Sequence, residues 1–202
     1  GSQADYDVQG AQLHVTTPLP GAHQLTNTLT ALNALAALST RGFSISQEAM
    51  QQGIALVRWP ARLEWAGNVL LDGGHNPQGI AALTDYVQTW LKDTRRVLVT
   101  GVLEDHLQPD MLQSLSELGQ ETITITPDSP RAMQGERLAE LLRQLGKPAQ
   151  YAPGIHEAMQ SAQQKVGSEG VVLVAGSLYL AGAARTELGL PWSSDVQNYV
   201  LG

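Results

Sequence analysis

Asn68-Val69-Leu70-Leu71-Asp72-Gly73-Gly74-His75-Asn76-Pro77, followed by Ile80, Leu83, Val87 and Leu91 at helical spacing, is the stretch on which the reading of this chain turns. Its opening run from Asn68 to Asp72 is apolar without alternation, as in a strand covered on both faces. Pro77 stands where the first residue of a helix belongs, because its missing N–H is not needed there. Strand, glycine-bearing polar turn and amphipathic helix together make half of a βαβ unit.

Further along the chain the same pattern returns. Strands are predicted near Arg96 to Gly101, Thr122 to Thr126 and Val171 to Gly176, with a weaker one near Ala149 to Tyr151. Helices are predicted over Leu107 to Leu118, Gly135 to Leu145 and Ile155 to Val166, with Gly146 and Gly167 as left-handed caps. The fold class read from this alternation is α/β, a Rossmann-like, mostly parallel sheet with helices on both faces, over residues 61–202. Residues 1–60 read differently. Gln12 to Thr17 alternates as a short strand, Pro18 to Gly21 breaks it, and His23 to Leu38 is a helix with Leu25, Leu29, Leu32, Leu35 and Leu38 as its apolar stripe. Gly42 stops that helix, and Ser44 with Gln47 forms a capping box for a second one reaching Val57. Arg58-Trp59-Pro60-Ala61 marks the boundary, flanked by Trp59 and Trp65, which are expected to pack there. There is no internal repeat, and the stretch from Pro191 to Gly202 yields no assignment.

Composition bounds the function. The 202 residues, 43% of them apolar, suffice to bury a core. Twelve Lys and Arg against 19 Asp and Glu give a net charge of -7, which argues against a nucleic-acid binder with a broad basic face. The lack of cysteine excludes disulfides, thiol nucleophiles and Cys-ligated zinc. No apolar run approaches the roughly 20 residues of a membrane span, and the N-terminus has no signal-peptide pattern, so the chain reads as soluble and cytoplasmic, with no membrane or nucleic-acid partner. Gly1 and Ser2 read as an expression scar, and the natural chain is expected to begin upstream of Gln3.

In open α/β sheets ligands bind beyond the carboxyl ends of the strands. After the predicted strands stand Asp72-Gly73-Gly74-His75-Asn76-Pro77, Gly101-Val102-Leu103-Glu104-Asp105-His106, Pro127-Asp128-Ser129-Pro130-Arg131 and Gly176-Ser177-Leu178-Tyr179. The opposite-end turns, such as Lys92 to Arg95, are ordinary solvated loops. In the first motif the glycines permit positive φ and close backbone approach, and the helix N-terminus that follows suits an anion. On chemistry alone, Asp72 as a turn cap and His75 as a surface residue stand level with a functional reading. Several motifs are missing. Gly146-Lys147 is followed by Pro148, so there is no P-loop. His156-Glu157 lacks a second His, Gly176-Ser177 lacks the G-x-S-x-G elbow, and the glycines near Gly73 do not follow G-x-G-x-x-G.

The ordered set Gly21-Ala22-His23-Gln24, Asn27, Trp59-Pro60-Ala61-Arg62-Leu63-Glu64, Asp72 to Pro77, Pro130-Arg131-Ala132 and Gly176-Ser177-Leu178-Tyr179-Leu180 resembles the folylpolyglutamate synthase/dihydrofolate synthase family of the Mur ligase superfamily, from about Leu19 to Arg185. The resemblance implies an ATP-dependent ligase, in which a folate or dihydropteroate carboxylate is phosphorylated and the amine of glutamate displaces phosphate. In that family the P-loop lies in a central ATPase domain. This chain is therefore expected to be a fragment, inactive alone: residues 1–60 the small helical end of the ATPase domain, and 61–202 the Mur ligase C-terminal domain. Its partners would be ATP, glutamate, a folate or dihydropteroate, and the missing N-terminal ATPase domain. ATP and Mg2+ are the implied cofactors, the metal ligands lying mainly in that missing part and none being assigned here.

Residue by residue, the resemblance places Asn27 against adenine, Arg62 on nucleotide phosphate or ribose, and Asp72 on ribose hydroxyls. Asp72 and His75 form the catalytic pair between nucleotide and amino acid, His75 orienting glutamate or its amine, and Ser177 holds a glutamate carboxylate. Judged without the resemblance, Asn27 reads as an exposed helix residue, Arg62 as an ion-pair partner and Ser177 as a helix cap. Ala61 stands where the family usually has glycine, and Glu104-Asp105-His106-Leu107 where many members have Asp-Lys-Asp. No catalytic role is therefore carried to Asp105 or His106, and Arg131 is an anion-binding candidate only. Another Mur-type amide ligase and a stand-alone, non-catalytic nucleotide-binding module are the competing readings.

Overall fold

The computed structural model describes residues 1–191, and the rest of the C-terminal stretch lies outside the described residues. The chain divides into two compact units, the first running from Gly1 to Leu63 and the second starting at Glu64.

The first unit opens with an antiparallel hairpin of β1 (Ser2–Val8) and β2 (Ala11–Thr17), where the reading above had a strand only at Gln12 to Thr17. Gln9 and Gly10 both take positive φ, 53° and 85°, which a two-residue hairpin turn needs to match strand twist. Tyr6, Val8, Leu13 and Val15 point inward and meet Leu32, Ala36 and Met50 from α1 (Ala22–Ser39) and α2 (Gln47–Ala55). The buried line of α1 is Gln24, Thr28, Leu32 and Ala36. Leu29 and Leu35 only flank the core, and Leu38 is exposed, so the expected leucine stripe is turned partly away. The cap of α2 is Ser46, which accepts from the Ala49 N–H at 3.1 Å; the Ser44–Gln47 box is not formed.

The second unit is a six-stranded sheet flanked by helices. Along the chain come β3 (Glu64–Ala66), β4 (Val69–Leu71), α3 (Pro77–Trp90), β5 (Arg96–Thr100), α4 (Pro109–Leu118), β6 (Glu121–Thr124), α5 (Gly135–Gln144), β7 (Ala149–Tyr151), α6 (Ile155–Val166), β8 (Val171–Ala175) and α7 (Leu178–Glu187). The strand order is β3-β4-β8-β5-β6-β7, parallel except for the antiparallel β3–β4 pair, which the sequence does not announce; α7 follows Ser177, whose reading as a helix cap carried no range for the helix. On one face Val69, Leu71, Val97, Val99, Val172 and Val174 pack with Ala158, Met159 and Ala162 of α6 and Leu180 and Ala184 of α7. Alternate residues Leu70, Leu98 and Leu173 point to the other face. There α3, α4 and α5, none of whose buried residues belong to the first cluster, supply Ile80, Leu83, Met111, Leu115, Leu138 and Leu142. Arg185 of α7 pairs with Glu64, tying the edge strand β3 to the helix layer. No helix among the described residues is long and apolar enough to cross a membrane.

Candidate functional site

The last strand among the described residues, β8, lies between β4 and β5, so the loops after β4, β8 and β5 become neighbours. At such a reversal of strand order the helices leave on opposite sides and a crevice opens. The Gly176 N–H donates to the Gly74 carbonyl at 2.9 Å, joining the β4 and β8 loops through their backbones. Gly176 has φ 118°, and a Cβ there would stand 2.5 Å from Thr100 Oγ1, a buried hydroxyl with no hydrogen-bond partner among the described residues. Gly176→Ala is expected to destabilise the unit by about 2–4 kcal/mol in urea unfolding, from backbone strain and overlap together.

Gly74 meets a different need. Its φ is not left-handed, contrary to the expectation of positive φ; its Cβ would lie 2.9 Å from Asp72 Oδ1 and 3.2 Å from the Gly79 carbonyl carbon. Close approach alone excludes a side chain. Asp72 is buried, and its Oδ1 accepts from the Gly74 N–H at 2.7 Å, which fixes the carboxylate in the turn. Asn76 caps α3 by accepting from the Gly79 N–H at 2.8 Å, with Pro77 following it. His75 Nδ1 lies 2.9 Å from the Gly73 carbonyl oxygen. A carbonyl only accepts, so Nδ1 carries the hydrogen, and Nε2 is left for a ligand.

His75 and Ser177 line one cavity of about 480 Å³, together with Leu103, His106, Arg131, Leu178 and Tyr179. Each of the four loops at the carboxyl ends of β4, β5, β6 and β8 contributes a residue. Ser177 is buried and caps α7, its Oγ accepting from the Leu180 N–H at 3.0 Å. The cap uses one lone pair and leaves the O–H free to donate into the cavity. Ser177→Ala is expected to cost about 1–2 kcal/mol of stability through the lost cap, measured by urea titration. The rings of His75 and His106 are 5.6 Å apart, and His106 Nδ1 is buried without a partner among the described residues. Arg131 Nη1 donates to Asp105 Oδ2 at 2.8 Å, and this carboxylate, with a smaller contribution from Tyr179, holds the guanidinium more firmly protonated than usual. His106, Arg131 and Tyr179 are thus part of the site, although sequence reasoning gave His106 and Tyr179 no role.

Asp72 belongs to the same turn as His75 but does not line the cavity. Asn27 and Arg62 belong to the first unit. Asn27 is exposed on α1, and its Nδ2 donates to Gln24 Oε1 at 3.1 Å; the Gln24 amide in turn contacts His23 Nε2 at 2.9 Å. One N–H and the carbonyl oxygen of Asn27 remain for a ligand. Gly21 stands before α1 at φ 102°, where a Cβ would meet the folded-back His23 ring at 2.7 Å. Arg62 is held between Ala61 and Leu63, at φ 54° and 47°, so Ala61 adopts the backbone that glycine favours. Among the described residues no three His, Asp or Glu side chains converge, and none of the chemistry assigned to them passes through a metal ion.

Residues 61–178 match the sequence model of the family described as Mur ligase, glutamate ligase domain. A Haloferax volcanii protein named as a probable bifunctional folylpolyglutamate synthase/dihydropteroate synthase is 31% identical over 178 residues, covering 86% of this chain and 21% of its own length. The Bacillus subtilis dihydrofolate synthase/folylpolyglutamate synthase is 28% identical over 86% of this chain and 41% of its own length. Among solved structures, a Mycobacterium tuberculosis folylpolyglutamate synthase complexed with ADP and AMPPCP superposes with TM-score 0.75 at 28% identity, over 89% of this chain and 43% of that one. Escherichia coli FolC in complex with DHPP and ADP gives 0.73 at 26% identity, over 96% and 44%. The chain therefore spans less than half the length of each of these relatives.

Proposed function

Since the chain belongs to the Mur ligase family through its glutamate ligase domain, we propose that it is the C-terminal portion of an ATP-dependent ligase that joins glutamate to a folate or to dihydropteroate. The observation that carries this reading is the cavity where His75, Arg131 and Ser177 meet at the carboxyl ends of the parallel strands. An arginine fork, a hydroxyl and an oriented imidazole suit an amino acid rich in carboxylates. The sequence has no P-loop. Phosphoryl transfer from ATP to the folate carboxylate accordingly falls to an ATPase domain outside this sequence, of which residues 1–60 are the end piece, and this chain alone does not turn over.

In this reading Ser177 donates to a glutamate carboxylate, and His75, its ring set by the Gly73 carbonyl, orients the amine through Nε2. The amine nitrogen attacks the acyl carbon, the C–N bond forms, the C–O bond to phosphate breaks, and the amine proton is lost to the surroundings. Asp72, fixed by the Gly74 N–H, accepts from ribose hydroxyls; Asn27 presents its free amide edge to adenine, and Arg62 meets phosphate or ribose oxygens. Mg2+ belongs with the phosphates and the ATPase domain, in a cytoplasmic enzyme. The test is ATP-dependent incorporation of labelled glutamate into folate and dihydropteroate acceptors by the full-length protein. One ADP per amide is the expected result. Amide formation on other Mur-type acceptors alone overturns the folate assignment, and nucleotide binding without any amide overturns the ligase.

A further inference from the structure

Arg131 is the one Arg or Lys among the residues lining the cavity, and its charge is already answered by Asp105. The two residues lie on different loops, Asp105 after β5 and Arg131 after β6. Those loops are joined without the two side chains: the Glu104 N–H donates to the Arg131 carbonyl at 2.9 Å, the Met133 N–H donates to the Val102 carbonyl at 3.0 Å, and Leu103 and Ala132 form an antiparallel bridge. The backbone thus fixes where Arg131 stands, whether or not its side chain is paired. Both side chains are about half exposed, 54% and 48%, so the ion pair is of the weak, exchangeable kind.

We propose that Arg131 selects the side-chain carboxylate of the amino-acid substrate, and that Asp105 is a resident competitor which that carboxylate displaces. The proposal rests on the glutamate-ligase reading and adds the residue that sets its amino-acid specificity. The competitor sharpens selection. Glutamate exchanges one carboxylate for another on the guanidinium, whereas glutamine, of the same shape, breaks the Arg131–Asp105 pair and supplies no anion in return. A released Asp105 is not left bare, because its side chain is 48% exposed and takes up water.

The test is steady-state kinetics of the full-length enzyme with L-glutamate and L-glutamine. Arg131→Gln is expected to raise KM for glutamate about tenfold to a hundredfold, the equivalent of one charge-assisted hydrogen bond, with KM for ATP and folate little changed and the preference over glutamine largely lost. Arg131→Lys, which keeps the charge, retains part of that preference. Asp105→Asn removes the competing charge and is expected to lower KM for glutamate severalfold. If Asp105→Asn instead raises KM for glutamate as Arg131→Gln does, the pair is a positioning clasp and the proposal is overturned; an unchanged KM in Arg131→Gln overturns it equally. Failure of the ligase reading has a different signature, no amide from the unmodified enzyme. In that event L-glutamate and L-glutamine are titrated into this chain while the Arg131 side-chain NMR signal is followed. A shift with glutamate alone, tighter in Asp105→Asn, supports the proposal, and no shift overturns it.

Discussion

His75→Ala in the full-length enzyme is expected to lower kcat/KM for glutamate about a hundredfold or more, because the attacking amine loses the group that aims it. The structure supplies a sharper version of the experiment. Nδ1 is occupied by the Gly73 carbonyl, so any contribution to substrate comes from Nε2. Glutamine at this position reaches its amide toward the Nε2 place, whereas asparagine reaches only toward Nδ1. His75→Gln should therefore recover part of the activity and His75→Asn none of it. Equal loss in both variants would give the ring a purely structural task, and a loss below about threefold in His75→Ala would remove it from the reaction.

Arg96→Met carries the largest expected effect on stability, about 3–5 kcal/mol in urea unfolding. Arg96 opens β5 and is only 8% exposed, yet its Nε and Nη1 both find acceptors. Its Nε donates to the Leu118 carbonyl at 3.0 Å, and Nη1 donates to the carbonyls of Thr94 at 2.9 Å, Lys92 at 3.2 Å and Leu91. These oxygens close α3 and α4, neither of which has a basic residue in its last turn. Burial lowers the Arg96 pKa from its ordinary value, but arginine stays charged at any working pH. Methionine fills a similar volume and answers none of the four carbonyls. Because Arg96 stands at the amino end of β5 and the cavity at its carboxyl end, catalysis per folded molecule should be unaffected. A variant that unfolds as the parent does would show that water already serves these groups.

The parts of the fold legible in the sequence were those whose signal is local. β8 is an unbroken apolar run of five residues and β5 carries three, Val97 to Val99, at its centre, all ten positions being buried, and Asn76-Pro77 announces α3 by a cap and a proline. β1 escaped because Asp5 and Asp7 interrupt Ala4, Tyr6 and Val8; the alternation was present, but Gly1 and Ser2 were set aside as a scar. β3 has three residues and exists through pairing with β4 and the Arg185–Glu64 link, a partnership across 121 positions that no window reveals. On α1, helical spacing located the helix but misjudged its buried side, since Gln24 and Thr28 face inward while Leu38 does not.

For the site, the loops were legible and their assembly was not. His75 and Ser177 could be singled out because glycines and strand ends mark them. The joining of His106, Arg131 and Tyr179 to them depends on strand order, above all on β8 entering between β4 and β5. A lone arginine after Pro130 gives no sign of which neighbouring loop will face it. Arg131 was visible as a charge, but its pairing with Asp105 emerges only once β5 and β6 lie side by side.

The late seating of β8 also has a consequence for biogenesis. Val69 of β4 pairs in register with Val172, so about a hundred residues must be made before the sheet's middle can close. Until the ribosome has released that segment, β4 and β5 have no shared neighbour, and a nascent or prematurely terminated chain ending before Val171 exposes two unsatisfied apolar edges where the finished protein has its interior. Such truncations should accumulate as aggregates or chaperone clients, whereas chains that extend through α7 hold every strand pairing found among the described residues.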